Sequence, residues 1–277
     1  MIENPMILFP LLILFLPLIS FVIVIFFGKK LPRQGDWVAV GSIVTTFLLA
    51  CYLFLQMLLN YNPDFSHGAS FSWINLGEFK IDLGILVDNL TIVMLLIVTL
   101  VSSCTHIFSI AYMKGDIRYN RYFAYLGLFT FSMNGIVLAD NLISMYMSWE
   151  LVGVSSYLLI GHWFEKDSAS NASKKAFLTN RVGDIGFFIG IMLLYSAVGA
   201  FAFSPIFESI AGGQAIAGTT LTIAGLGIFM GAVGKSSQFP LHIWLPDAME
   251  GPTPVSALMH AAPMVAAGVY YLEIIHL

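Results

Sequence analysis

Stretches of about 20 consecutive apolar residues, long enough to cross a hydrocarbon layer of roughly 30 Å as helices, recur along the whole chain. They fall at 6–27, 37–59, 88–113, 122–138, 142–163, 177–198, 221–239 and 255–275. Hydrocarbon offers backbone amides no partner, and a helix satisfies them within its own segment. The sequence therefore predicts an all-α membrane protein of about eight transmembrane helices, a single transmembrane domain over 1–277. Composition removes the soluble alternative: 58% of residues are hydrophobic and 10% charged, against roughly 25% charged in soluble domains.

The twelve Lys and Arg test orientation, because basic residues accumulate in cytoplasmic loops. Lys29, Lys30 and Arg33 follow the first run, Lys114, Arg118 and Arg121 the third, and Lys166, Lys174 and Lys175 the fifth, all on one side. The opposite loops offer only Lys80. The amino terminus is thus expected to face away from the cytoplasm or its organellar equivalent. The first run follows Glu3 rather than a basic stretch and lacks a small-residue cleavage site, so it reads as a retained helix rather than a signal peptide. Cys51 and Cys104 lie inside apolar runs, where a buried inert thiol is expected. The net charge of −4 is spread over loops, with no basic patch suited to nucleic acid.

Residues 60–87 form the longest polar insertion, with Pro63, Gly68, Gly77, Gly84 and short alternating stretches, and read as an extracytoplasmic loop or hairpin. The Gly-rich segment 201–220 is expected on the same side. No catalytic or phosphate-binding motif is present: Gly183-Asp184-Ile185-Gly186 has no preceding strand, and its glycines fit close helix packing instead. Pro240, Pro246, Pro252 and Pro254 interrupt the apolar region 221–275, so no continuous helix can pass through it. Either a discontinuous helix lines a cavity at membrane depth, or the chain simply re-enters solvent after Phe239.

A charge at the centre of a spanning helix costs about 2.5–3.5 kcal/mol on insertion scales. Glu150 and Lys235 occupy such positions, and the small residues beside them would let their helices approach. Burial favours the neutral form of each group, whereas a nearby opposite charge favours both charged forms, so the pair could couple carboxylate position to lysine protonation. A static ion pair that fixes helix packing is the alternative. Arg181 and Asp184, three residues apart on one helix, are expected to pair near its cytoplasmic end, as an anchor, a proton access point or a subunit contact. His260, inside the last run, is either a proton relay or a hydrogen-bonded packing residue. His106, His162 and His242 are less informative. The first could face an interior helix surface, and His162 with Trp163 resembles an interfacial belt.

The run at residues 234–262, Gly-Lys-Ser-Ser-Gln-Phe-Pro-Leu-His-Ile-Trp-Leu-Pro-Asp-Ala-Met-Glu-Gly-Pro-Thr-Pro-Val-Ser-Ala-Leu-Met-His-Ala-Ala, closely resembles the antiporter-like subunits of respiratory complex I, in particular the largest and most distal, L-type chain. Asp88-Asn-Leu, His106-Ile-Phe-Ser-Ile-Ala-Tyr-Met113, Trp149-Glu-Leu-Val-Gly153 and Asn180-Arg-Val-Gly-Asp184 carry the same resemblance over nearly the whole length. It implies the first half of an inverted-repeat antiporter-like fold, with amino-terminal helices over 1–113 and a first helix bundle over 122–277 whose inverted second bundle is absent. It also implies a proton relay of Glu150, Lys235 on a broken helix, His260, and the Arg181 and Asp184 pair. Its other implications are a bacterial cytoplasmic membrane, membrane-arm partners including a neighbouring antiporter-like subunit, and NADH, FMN, iron–sulfur clusters and quinone held by partner subunits, with none in this chain. Pro263 departs from the family pattern, which has threonine there. The large subunit of a multi-subunit sodium/proton antiporter shares the same charged positions.

Overall fold

The computed structural model describes residues 5–77, 79–212, 218–261, 264–265 and 267–270; Pro263 and the end of the eighth predicted run lie outside them. Six long helices carry the bundle: α1 (Pro5–Phe27), α2 (Asp36–Leu59), α3 (Asn89–Tyr112), α4 (Tyr119–Leu138), α5 (Leu142–Ile160) and α6 (Asp167–Val198). Between α2 and α3 stand the antiparallel strands β1 (Ser66–Leu76) and β2 (Phe79–Asp88). The short α7 (Phe203–Ala211) precedes α8 (Thr219–Lys235), and 3-10 turns at Leu241–Trp244 and Asp247–Glu250 lead to α9 (Thr253–Ala261). Among the described residues, five helices are long and apolar enough to cross a bilayer. Of the other predicted spans, α4 has 20 residues but a more polar sequence, α8 has 17, and the last is only partly described.

Local chemistry explains the ends and the breaks. Asp88 caps α3 by accepting from the Thr91 amide at 2.7 Å, and Asn141 caps α5 by accepting from the Ser144 amide at 2.8 Å. Pro17 sits inside α1, lacks an amide hydrogen and so frees the carbonyl four residues earlier. That carbonyl, on Ile13, accepts from the Asn134 side chain of α4 at 3.0 Å, so the buried acceptor is not orphaned.

The hairpin between α2 and α3 matches the expected loop, turning at Gly77 with φ of 74°. It lies over one end of the bundle, where Ile85 bridges Ala139 and the Asn141 side chain donates to the Asp82 carbonyl at 2.9 Å. The Gly-rich segment was expected to be loop, yet part of it folds as α7, whose Phe203 and Ile206 are buried. Helix α6 begins ten residues before its apolar run, because Asp167 and the following Ser, Ala, Asn and Lys residues extend it with a polar face. Cysteine differs as well: Cys104 is exposed on the outer face of α3 and Cys51 is half-buried, so neither is the core thiol expected from the sequence. Both follow an apolar run that covers all sides of its helix, which hides which side faces inward.

At the other end, the α3–α4 and α5–α6 connections clasp each other. Asp116 accepts from Trp163 Nε1 at 3.0 Å and lies 3.3 Å from Nε2 of His162, while Arg118 pairs with Glu165. Burial alone raises the Asp116 carboxyl, but the bonds from Trp163 and the Arg118 amide, with His162 nearby, outweigh it and hold it below 3.8. Burial lowers His162 below 6.5, against the opposing pull of Asp116. Each folded group thus binds protons less readily than the unfolded chain. Stability is expected to fall first as pH drops below 6.5, where unfolded His162 gains its proton, and again below 3.8 through Asp116. Melting of the solubilised protein against pH checks this, and an unchanged upper slope in His162→Gln would refute it.

Candidate functional site

Helix α6 packs against α8 through glycine. A Cβ at Gly183 would lie 2.7 Å from the Met230 carbonyl, and one at Gly190 2.7 Å from that of Ala224. On α8, a Cβ at Gly227 would lie 2.8 Å from the Gly186 carbonyl. Backbones therefore touch directly, as the small residues of the Gly183–Gly186 motif lead one to expect. This close approach carries Lys235, at the end of α8, to the middle of α6.

The broken segment follows at once. The freed carbonyls of α8 find new partners: Gln238 donates its amide to Val233 at 2.9 Å and Trp244 its indole to Gly234 at 3.0 Å. Trp244 is wholly buried and the segment packs on α6, with Lys175 donating to Asp247 at 2.7 Å. The helix is therefore broken after Lys235, and the chain that follows stays packed on the polar first turns of α6.

On α5, Glu150 lies about 12 Å along a helix about 28 Å long at the standard rise, so it sits near the middle of the helix. Its partner is not Lys235. Glu150 forms an ion pair with Arg181 of α6 and accepts from Tyr146 at 2.7 Å. Asp184 instead faces Lys235, with Oδ2 3.6 Å from Nζ, and accepts from Trp149 Nε1 at 2.8 Å. The two expected pairings are thus exchanged. Helix α6 runs between α5 and α8, so residues 181 and 184 diverge to the flanking helices instead of meeting each other. These positions lie 14 and 17 residues into α6, well away from its end.

The two pairs differ in depth. The Lys235 and Asp184 side chains are 1% and 3% exposed, whereas those of Arg181 and Glu150 are 36% and 19% exposed. The four charges sum to zero, which a low-dielectric interior requires. Lys235 Nζ has no hydrogen-bond partner among the described residues, and its gap to Asp184 is too long for a hydrogen bond. The ammonium lies 5.9 Å from the centre of the Trp149 ring and close to Gly153, where a Cβ would be 2.9 Å away.

Sequence reasoning missed Tyr146 and Trp149. Tyr146 was findable, since it precedes Glu150 by one helical turn. Nothing in the sequence orients Trp149. Replacing it with Phe removes one hydrogen bond to a charged group, and is expected to destabilise the protein by about 1.5–3 kcal/mol. Thermal unfolding in detergent measures this, and a smaller change than in Tyr157→Phe would contradict it.

His260 lies on α9, but its side chain is outside those described. His106 is fully buried in α3, with Nδ1 2.8 Å from the Ser102 carbonyl. Among the described residues, no cluster of His, Cys, Asp and Glu could hold a metal ion.

A helical bundle with a broken helix and two charged pairs between its helices is the architecture of an antiporter-like integral membrane subunit. The structure of the Mrp complex from a Dietzia species superposes with a TM-score of 0.81 at 26% identity, over 95% of this chain and 27% of that one. An archaeal membrane-bound sulfane sulfur reductase shares the fold, with a TM-score of 0.80 at 22% identity over 94% of this chain and 51% of its own. Residues 139–277 match the family described as NADH:quinone oxidoreductase/Mrp antiporter, TM, and residues 73–123 match the amino terminus of complex I chain 5. The chain belongs to this NADH:quinone oxidoreductase/Mrp antiporter family.

Among its relatives is F(420)H(2) dehydrogenase subunit L of Methanosarcina mazei, 46% identical over 95% of this chain and 41% of that protein. The chloroplastic NAD(P)H-quinone oxidoreductase subunit 5 of Marchantia polymorpha is 44% identical over 92% of this chain and 38% of its own length. Chain 5 of the Synechocystis enzyme is 49% identical over 74% and 30%. The chain thus spans no more than about two-fifths of these curated relatives.

Proposed function

We propose that this chain forms a proton-translocating bundle within the L-type membrane subunit of a quinone-reducing respiratory complex. The observation that carries the reading is Lys235, buried at the end of a broken helix, 3.6 Å from Asp184 and with no hydrogen-bond partner among the described residues. A proton held there is sensitive to any movement of α5 or α6 that changes the carboxylate distance. Glu150 and Arg181 form the outer part of the relay, and His260 continues it beyond Lys235. Residues 122–277 make up the first antiporter-like bundle, following the amino-terminal helices of 1–113.

In this reading, electrons never enter the chain. NADH or a comparable hydride donor, FMN, iron–sulfur clusters and quinone belong to partner subunits, and a neighbouring antiporter-like subunit packs beside it. The relatives above 40% identity, named for NAD(P)H-quinone oxidoreductase and F(420)H(2) dehydrogenase, support this assignment. The basic turns at Lys29, Lys30 and Arg33 share the bundle end with Arg118 and Glu165, which supports a cytoplasmic position for that end and an extracytoplasmic amino terminus. A bacterial cytoplasmic membrane fits this arrangement.

The likeness to the Mrp structure favours a second reading, the large subunit of a multi-subunit sodium/proton antiporter. Affinity purification of the intact assembly separates the two. Co-purifying flavin and iron–sulfur absorbance supports the respiratory complex, whereas a colourless assembly that exchanges sodium for protons overturns it.

A further inference from the structure

The β1–β2 hairpin meets the bundle at residues 139–141, between α4 and α5. Ile85 bridges Ala139, and the Asn141 side chain, which also caps α5, donates to the Asp82 carbonyl of β2 at 2.9 Å and to the Asp140 carboxyl at 2.6 Å. The second oxygen of that carboxyl rests against Gly84, where an added Cβ would overlap it and lie 2.8 Å from Cβ of Ser70. On the far side, Asn141 bridges Ala202, and the Asp140 carbonyl accepts from the Phe203 amide. The Asp140 side chain, half-buried, thus sits inside the contact between hairpin and bundle.

No Lys, Arg or His pairs with Asp140 among the described residues. The charged group that faces it is Asp82 of β2, of the same sign. The end of α4, the start of α5, the adjoining part of β1 and residues 201–203 bring no titratable side chain to it. A carboxyl enclosed without a counter-charge favours its neutral form. Burial accordingly raises Asp140 above 3.8, with Asp82 adding to it, and outweighs the bonds from Asn141 and the Gly84 amide that favour the charge. The neutral form still accepts from Asn141, so protonation removes the repulsion without loosening the junction.

A group that binds its proton more tightly when the hairpin is docked must, by linkage, draw the hairpin in as pH falls. The gain is complete below 3.8, where the undocked carboxyl is also protonated, and is lost as pH rises through the raised value. We propose that Asp140 is a pH-sensitive clasp, which tightens the β1–β2 hairpin on the bundle when the solution at that end turns acid. Gly84 supplies the seat, because any side chain there would displace the carboxyl. The clasp itself requires no transport; only its exposure to the side that receives protons rests on the orientation proposed above.

Hydrogen exchange in the intact membrane complex, corrected for the intrinsic pH dependence of amide exchange, reads docking as protection of the β2 amides, Phe79–Asp88. Protection is expected to rise as pH falls from neutral toward 3.8. Asp140→Asn, neutral and of the same size, is expected to show the acid level of protection already at neutral pH and to lose the pH dependence. Asp82→Asn keeps an acceptor for Ser72, and is expected to retain the response but move it to lower pH. His67 of β1 and Asp88, the cap of α3, are present in both proteins, so the difference between Asp140→Asn and the unaltered complex isolates Asp140. The same pH dependence in Asp140→Asn as in the unaltered complex, or no rise toward acid in the latter, would overturn the proposal. Should Asp140→Asn lose protection throughout α4 and α5, it has unfolded, and Asp82→Asn decides: a response at unchanged pH then overturns the clasp.

Discussion

Lys235→Met in the intact complex is expected to abolish proton translocation through this bundle and to destabilise the protein by about 3–5 kcal/mol, the cost of leaving a buried carboxylate without its partner. Adding Asp184→Asn removes the stranded charge. The double variant should therefore recover most of the stability, since a neutral pair of similar size is often as well tolerated as the buried ion pair it replaces. Transport should not return, because neither side chain then exchanges a proton. Proton uptake by reconstituted vesicles, measured beside thermal unfolding, separates these outcomes. A double variant that is stable and pumps at the original rate would show the pair to be a packing device and sink the relay.

Gly190→Leu is expected to be strongly destabilising. Its Cβ alone would meet the Ala224 carbonyl at 2.7 Å and the Ile228 amide at 2.8 Å, both backbone atoms in the middle of α8. Neither can turn aside as a side chain would. Ordinary overpacking costs about 1–3 kcal/mol, and a four-carbon side chain between two touching helices exceeds that range. The helices would part, drawing Lys235 away from Asp184. Gly41→Leu is the control, because a Cβ there meets nothing within 4 Å. Comparable membrane yield and melting temperature for the two variants would contradict the account.

Much of this architecture is written in hydropathy and proline. Apolar runs located α1 to α6 because a bilayer demands long stretches of uniform character, and the four prolines after α8 located the break because a missing amide cannot be hidden. The charged residues were also evident, since ionised groups in apolar runs are rare. Their partners were not. Spacing relates positions on one helix, but the choice of Arg181 for Glu150, and of Lys235 for Asp184, depends on how α6 is turned between α5 and α8. The early start of α6 escaped for the opposite reason: residues 167–176 are polar, and an apolar criterion stops where they begin.

Trp149 and Glu150 are neighbours in the sequence, and each holds one charged residue of α6. Successive side chains on a helix point about 100° apart. A twist of α5 about its own axis would then carry both grips round together, loosening one as it tightens or strains the other. The inner and outer charges behave less like two switches than like two teeth of one cog.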